Sequence, residues 1–276
     1  MKEPLEQELE IAKRLARAAG ALILAVAERG YEVRDKPEEG GPVTEADLRA
    51  NEWIERGLRQ AFPGDGVVTE ESAPWREESA ERCWYVDPLD GTKEFIRGNG
   101  EYAVHIGLAI GGEAKLGVIY RPVGDRLHAG VVGGECWLEE KGSARKLHMP
   151  KAEPGALTLA VSRSHRSERL QEVREALGAR EVIRSGSVGL KCALVAEGRA
   201  HLYAHASPRS YRWDACAPEA VVRAAGGVFV DLAGNPYRYG EGEIQNARGI
   251  LVCREDLLPH VLPTVRVWGE RVGLFS

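Results

Sequence analysis

The sequence predicts an α+β protein, and three features carry that expectation. Apolar residues recur at helical spacing from about Leu5 to Glu28. Short β-type segments joined by Gly-Gly turns fill residues 103 to 139, as in an antiparallel meander. Beyond Met149-Pro150 strands and helices alternate, which is α/β patterning. The chain therefore divides into an N-terminal half over 1–150, helices on an antiparallel sheet, and a C-terminal α/β half over 151–276.

In chain order, the first helix presents Leu5, Leu9, Ala12, Leu15, Ala16, Ala19, Ile23 and Val26 on one stripe and stops at Gly30. The polar run Lys36-Pro37-Glu38-Glu39-Gly40-Gly41 reads as a loop and a candidate mobile flap. Thr44-Glu45-Ala46-Asp47 fits a capping box, so a second helix starts there, carrying Leu48, Trp53, Ile54 and Leu58. A short strand, Val67-Val68-Thr69, ends in Glu70-Glu71. In the second half, strands are expected at Leu157–Val161, Val182-Ile183, Leu202-Tyr203, Val228–Val230 and Gly249–Cys253. Helices are expected at Glu168–Leu177, Leu190–Ala196, Asp214–Ala225 and the C-terminus.

Composition narrows the function classes. A formal net charge of -5 argues against a nucleic-acid polymer or an anionic membrane as partner. The five cysteines are scattered, odd in number and never spaced C-x-x-C, which favours buried thiols in a reducing cytoplasm over disulfides or zinc. Ala18–Ala27 is too short to span a bilayer, and the acidic start of the chain is wrong for a signal peptide.

The chemistry gathers at Trp84-Tyr85-Val86-Asp87-Pro88-Leu89-Asp90-Gly91-Thr92. A buried strand end runs into two carboxylates around a proline that forces extended or turn geometry. Two desolvated carboxylates at one point repel unless a cation lies between them, and carboxylate oxygens with a free carbonyl such as that of Leu89 suit Mg²⁺. Gly91 and Thr92 then offer amides and a hydroxyl to a phosphate. An Asx-turn and helix cap is the bland alternative for this stretch, as an N-cap is for Asp214 after Trp213 and a capping box for Asp47.

Glu70-Glu71, Asp87-Pro88-Leu89-Asp90-Gly91-Thr92, and Trp213-Asp214 with Ala225-Gly226-Gly227, in that order and spacing, resemble the inositol monophosphatase superfamily of Mg²⁺-dependent, lithium-sensitive phosphatases. The likeness runs from Lys36 to the region of Asn246–Val252. It implies an αβαβα layered sandwich of the sugar-phosphatase type with a cleft between its halves, and dimers are known in the superfamily. It further implies that Glu70, Asp87 and the Leu89 carbonyl hold a first Mg²⁺, that Asp87, Asp90 and Asp214 hold a second, and that Glu70 reaches a third. Asp47 and Thr92 match the pair that orients the attacking water, and the Gly91-Thr92 amides match the phosphate cradle.

Lys93-Glu94-Phe95, Gly98-Asn99-Gly100-Glu101-Tyr102, Ser162-Arg163-Ser164-His165 and Gly186-Ser187-Val188-Gly189-Leu190-Lys191 resemble the 3′(2′),5′-bisphosphate nucleotidase branch. That implies a small phosphorylated nucleotide as substrate, with His165, Ser187 and Lys191 forming a second anion site. Two positions depart from the branch: Arg212 stands where a Glu usually precedes Trp-Asp, and His201 where an Asp commonly follows Ala. The alternatives are an inositol or sugar-phosphate phosphatase and, from another class, a catalytically silent nucleotide- or metal-binding regulator.

Overall fold

The computed structural model describes residues 5–36, 41–72, 80–153, 155–164, 169–240 and 242–275. The chain runs α1 (Glu6–Arg29), β1 (Val33–Asp35), β2 (Pro42–Thr44), α2 (Glu45–Ala61), β3 (Gly66–Thr69), β4 (Arg82–Asp90) and α3 (Thr92–Ile96). The meander follows as β5 (Ala103–Ile110), β6 (Glu113–Arg121), β7 (Arg126–Val131), β8 (Cys136–Glu140) and β9 (Ser143–Leu147). Next come β10 (Leu157–Ser162), α4 (Arg169–Ala176), β11 (Ala179–Ser185), α5 (Val188–Ala196) and β12 (Leu202–His205). The chain closes with α6 (Arg212–Ala224), β13 (Gly227–Val230), β14 (Ile250–Arg254) and α7 (Leu258–Arg271).

These elements stack as an αβαβα sandwich. Helices α1 and α2 bury the expected stripe, with Ala12, Ala16, Ala19 and Ile23 packed against Ile54, Leu58 and one face of the seven-stranded sheet β3-β4-β5-β6-β7-β8-β9. Helices α5 and α6 occupy the middle, with Leu190, Cys192, Val221 and Val222 packed among Tyr203, Phe229 and Val252. Those last residues belong to a five-stranded sheet of order β11-β10-β12-β14-β13, whose far side is covered by α4 and α7 through Val173, Val261, Val265 and Trp268. Pairing in this second sheet is mixed: β10 runs parallel to β11 and β12, while β14 is antiparallel to β12 and β13.

Helix α6 lies unusually close to the first sheet. A Cβ on Gly107 would stand 2.5 Å from the Ala217 nitrogen, and one on Gly117 2.2 Å from the Ala217 oxygen. Only glycine in the strands and small residues in the helix allow that approach, and it carries the start of α6 over the end of β4.

Three local features differ from expectation. The polar loop at Lys36–Gly41 is flanked by two short strands that pair as the antiparallel hairpin β1–β2, with Val33 opposite Thr44; residues 37–40 of the candidate flap lie outside the described residues. Strand β9 extends the meander by one strand. Helix α6 begins at Arg212, so Asp214 is its third residue and accepts a 2.7 Å hydrogen bond from the Tyr211 amide instead of capping as the N-cap itself. All five cysteines are free and buried. Among the described residues no helix is long and apolar enough to cross a membrane.

Candidate active site

Strand β4 does not stop at Val86; it continues to Asp90 across a bulge. Asp87 is opposite His105 and Asp90 opposite Ala103, a one-residue shift in register. In a regular strand residues three apart face opposite sides, and an inserted residue returns them to the same side. The bulge at Pro88 therefore aims both carboxylates at one point, and proline is tolerated there because no ladder donor is needed.

Asp87 is 1% exposed and accepts a hydrogen bond from the Leu89 amide at 2.9 Å. Burial raises its pKa well above the ordinary carboxylate range, and the charges of Glu70, Asp90 and Asp214 push the same way. Asp214 is raised likewise by burial, then by Asp90 and Glu70. Both carboxyls thus lie within electrostatic reach of the others, although they come from β4, from the residue after β3 and from the first turn of α6. One ligand atom each from Asp87, Asp90 and His105 lie within 4.8 Å of one another.

Two helix starts aim carboxylates inward by the same local device. In α2, Asp47 Oδ2 accepts from the Thr44 amide (2.8 Å) and hydroxyl (2.7 Å). An acid at the third helical position satisfies orphan amides and suits the helix dipole. Asp47 Oδ1 stays free for the Thr92 hydroxyl, which donates to it at 2.9 Å. Burial raises the Asp47 pKa against these hydrogen bonds. One Asp47 oxygen thus serves the capping box and the other takes the Thr92 hydroxyl. Gly91 precedes Thr92 with φ +103°, a left-handed turn open to glycine.

Glu70 is held at the strand end by its amide, which donates to the Val86 carbonyl at 3.1 Å. Its carboxylate meets Lys36, whose Nζ donates to Glu70 Oε1 at 2.6 Å and Glu71 Oε1 at 2.5 Å. Burial lifts the Glu71 pKa to about 7, aided by the neighbouring Glu70 charge. Sequence reasoning placed Lys36 only in a flap and assigned Glu71 no role. Their pairing joins positions 35 residues apart, and no local pattern reports it.

The Gly186–Lys191 segment is bolted to the same cluster. Ser187 Oγ donates to Asp90 Oδ2 at 2.5 Å and accepts from the Leu190 amide at 3.1 Å, capping α5. Ser187 holds φ +50°, a strained backbone for a residue with a side chain. Lys191 is 4% exposed; its ammonium donates to the carbonyls of Gly186 (3.2 Å) and Ser187 and lies 5.3 Å from the Tyr203 ring centroid. It braces the loop from beneath. Glu101 holds the loop from the other side, accepting from the Gly186 amide at 2.8 Å and pairing with Arg163. His165 lies outside the described residues.

Of the two departures, His201 serves the fold, since its Nδ1 accepts from the Thr158 amide at 2.9 Å. Arg212 is buried at the start of α6 with its amide bonded to the Ile244 carbonyl at 3.0 Å. His105 is the site residue that sequence reasoning missed. Its signal was legible: it is the one polar side chain in the otherwise apolar strand Ala103–Ile110.

The donor set fits a hard divalent cation. Asp87 is buried and Asp214 half-buried; each accepts from a backbone amide, and among the described residues no cationic side chain is bonded to either. Carboxylate and carbonyl oxygens dominate, as Mg²⁺ prefers.

Residues 4–266 match the family model described as the inositol monophosphatase family. The 3′(2′),5′-bisphosphate nucleotidase CysQ of Escherichia coli K12 is 40% identical over 229 residues, covering 82% of this chain and 91% of that protein. The 3′-phosphoadenosine 5′-phosphate phosphatase of Mycobacterium leprae is 32% identical, covering 94% of this chain and 93% of that one. Among solved structures, CysQ from Bacteroides thetaiotaomicron superposes with TM-score 0.78 at 30% identity over 91% of this chain and 98% of that one. The suhB protein of Bartonella henselae shares the fold at TM-score 0.80 and 24% identity, over 95% of this chain and 99% of that one. The family match and these relatives define a phosphatase of phosphomonoesters. The chain belongs to the inositol monophosphatase family.

Proposed function

We propose that this chain is a Mg²⁺-dependent 3′(2′),5′-bisphosphate nucleotidase that converts 3′-phosphoadenosine 5′-phosphate to AMP and phosphate. The observation that carries the reading is the 2.5 Å bond from Ser187 to Asp90, which fixes the nucleotidase-like segment directly to the acidic cluster. The likeness to the CysQ proteins supports the substrate class. The five unpaired thiols favour a reducing, cytoplasmic setting.

Glu70, Asp87, the Leu89 carbonyl, Asp90 and Asp214 would hold two or three Mg²⁺ ions, with lithium competing. Bound there, the ions supply charge for the phosphoryl oxygens and ease the ionisation of water. The chain's own residues do the rest. Because Thr92 gives its proton to Asp47, its oxygen lone pairs are free to accept a hydrogen bond from water and so aim it. Asp47, made more basic by burial, is the group that draws the proton through Thr92. The Gly91 and Thr92 amides cradle the phosphate being cleaved. The loop that Lys191 braces, together with His165, receives the second phosphate.

A panel of phosphomonoesters assayed with Mg²⁺, run beside Asp90→Asn, tests this. The bisphosphate nucleotide should be turned over with the highest kcat/KM, and Asp90→Asn should be inactive. Lys191→Ala should raise KM for that substrate far more than for inositol 1-phosphate. Preference for inositol phosphate in the panel, or phosphate release without any divalent ion, overturns the reading.

A further inference from the structure

His105 is fully buried in a strand whose other side chains are apolar. Burying an imidazole costs free energy unless its nitrogens are used. Its ladder partner is Asp87, and its Nε2 stands 3.2 Å from Asp90 Oδ2, in contact without forming a hydrogen bond, since neither ring nitrogen has a hydrogen-bond partner. Room for the ring is made by Gly189, where a Cβ would come within 2.1 Å of Nε2. The Gly189 amide donates to the same Asp90 Oδ2 at 3.2 Å, and the Ser187 hydroxyl at 2.5 Å. Three groups from two elements thus converge on one oxygen of one carboxylate.

We propose that His105 is a positioning residue: with Ser187 and the Gly189 amide it pins Asp90 by Oδ2, leaving Oδ1 as the oxygen presented to a cation. Asp90 needs such support. It is the last residue of β4, just past a bulge, so one ladder pair with Ala103 sets its side but not which oxygen it presents. Groups that orient a ligating carboxylate are worth about 10- to 100-fold in metal affinity. The pairing is also reciprocal, since histidine at 105 requires glycine at 189. The inference rests on the cation reading of the site given above.

The test compares Mn²⁺ binding, followed by electron paramagnetic resonance, in the wild type, His105→Leu and His105→Gln. Leucine keeps bulk and removes the polar nitrogen that faces Asp90; glutamine restores an N–H near the position of Nε2. His105→Leu should bind Mn²⁺ about tenfold or more weakly and lose kcat with little change in KM, and His105→Gln should recover most of both. A role limited to packing would not separate leucine from glutamine in this way. Electron spin echo modulation of the Mn²⁺-loaded wild type, which needs no variant to fold, should show no imidazole nitrogen coupling. Such a coupling would make His105 a ligand and overturn the positioning role. Equal Mn²⁺ affinity in wild type and His105→Leu overturns this inference alone, whereas a wild type that binds no Mn²⁺ overturns the cation reading and this inference with it.

Discussion

Asp47 and Thr92, separated by 45 positions in the chain, are joined by a 2.9 Å hydrogen bond in which the threonine is the donor. One oxygen of Asp47 builds the start of α2 while the other reaches this hydroxyl. The direction of the bond leaves Thr92 able to accept from water.

Thr92→Val keeps the shape and removes the hydroxyl. It should lower kcat by about 100-fold or more, the scale of general acid–base assistance, with a smaller change in KM. Because Asp47 Oδ1 loses its partner in a buried setting, stability should also fall, by about 1–3 kcal/mol. Steady-state kinetics and urea unfolding check both. An unchanged kcat would remove Thr92 and Asp47 from the chemistry.

The cluster around Asp87 predicts opposite effects on stability and activity. Asp214 has its pKa raised by burial and by like charge, so its ionised form destabilises the cation-free fold at neutral pH. Asp214→Asn removes that charge while its side-chain oxygen still accepts from the Tyr211 amide. In EDTA its Tm should therefore exceed that of the wild type. Excess Mg²⁺ should raise the wild-type Tm, by about 2.7 kcal/mol of stabilisation at 100 times Kd, and should barely move Asp214→Asn. Thermal melts with and without Mg²⁺ decide it, and equal shifts in both proteins would refute the role of Asp214.

A third expectation concerns pH. Glu219, a residue of α6 that is 2% exposed, accepts from the Tyr239 hydroxyl at 2.7 Å and from Arg223 at 3.0 Å. Burial still pushes its pKa from 4.5 to about 7. The folded state then holds a proton that the unfolded state releases, so this residue's stabilising contribution is present at low pH and lost as pH rises from about 4.5 to about 7. The loss is on the order of 3 kcal/mol, from about 1.4 kcal/mol per pKa unit. In EDTA, Glu219→Gln should show a flatter fall in stability across that interval than the wild type. Parallel curves would show that Glu219 does not titrate there.

The helices and strands were legible because their signals are local. The stripe of α1, the capping box at Thr44 and the Gly-Gly turns of the meander each lie within a few residues. The Asp87-Pro88-Leu89-Asp90 stretch was legible as a candidate cluster because its residues are contiguous and the structure brings Asp87 and Asp90 together with His105. The hairpin β1–β2 was not, since three-residue strands with exposed side chains in β1 have no alternation to read. The start of α6 was read two residues late, at Asp214 instead of Arg212, because its first turn reads the same from either residue.

By itself the sequence determined which residues are acidic, how the strands and helices are spaced, and that a carboxylate pair stands at the end of a strand interrupted by proline. Tertiary structure decided which oxygens of Asp47 and Asp90 are taken up by neighbouring groups. Gly107 and Gly117 let α6 approach until Asp214 acts on Asp87, and Gly189 admits His105 beside Asp90. The physical reason is that a side chain's direction within a cluster is fixed by packing and hydrogen bonds from other elements, and those partners lie tens of residues away along the chain.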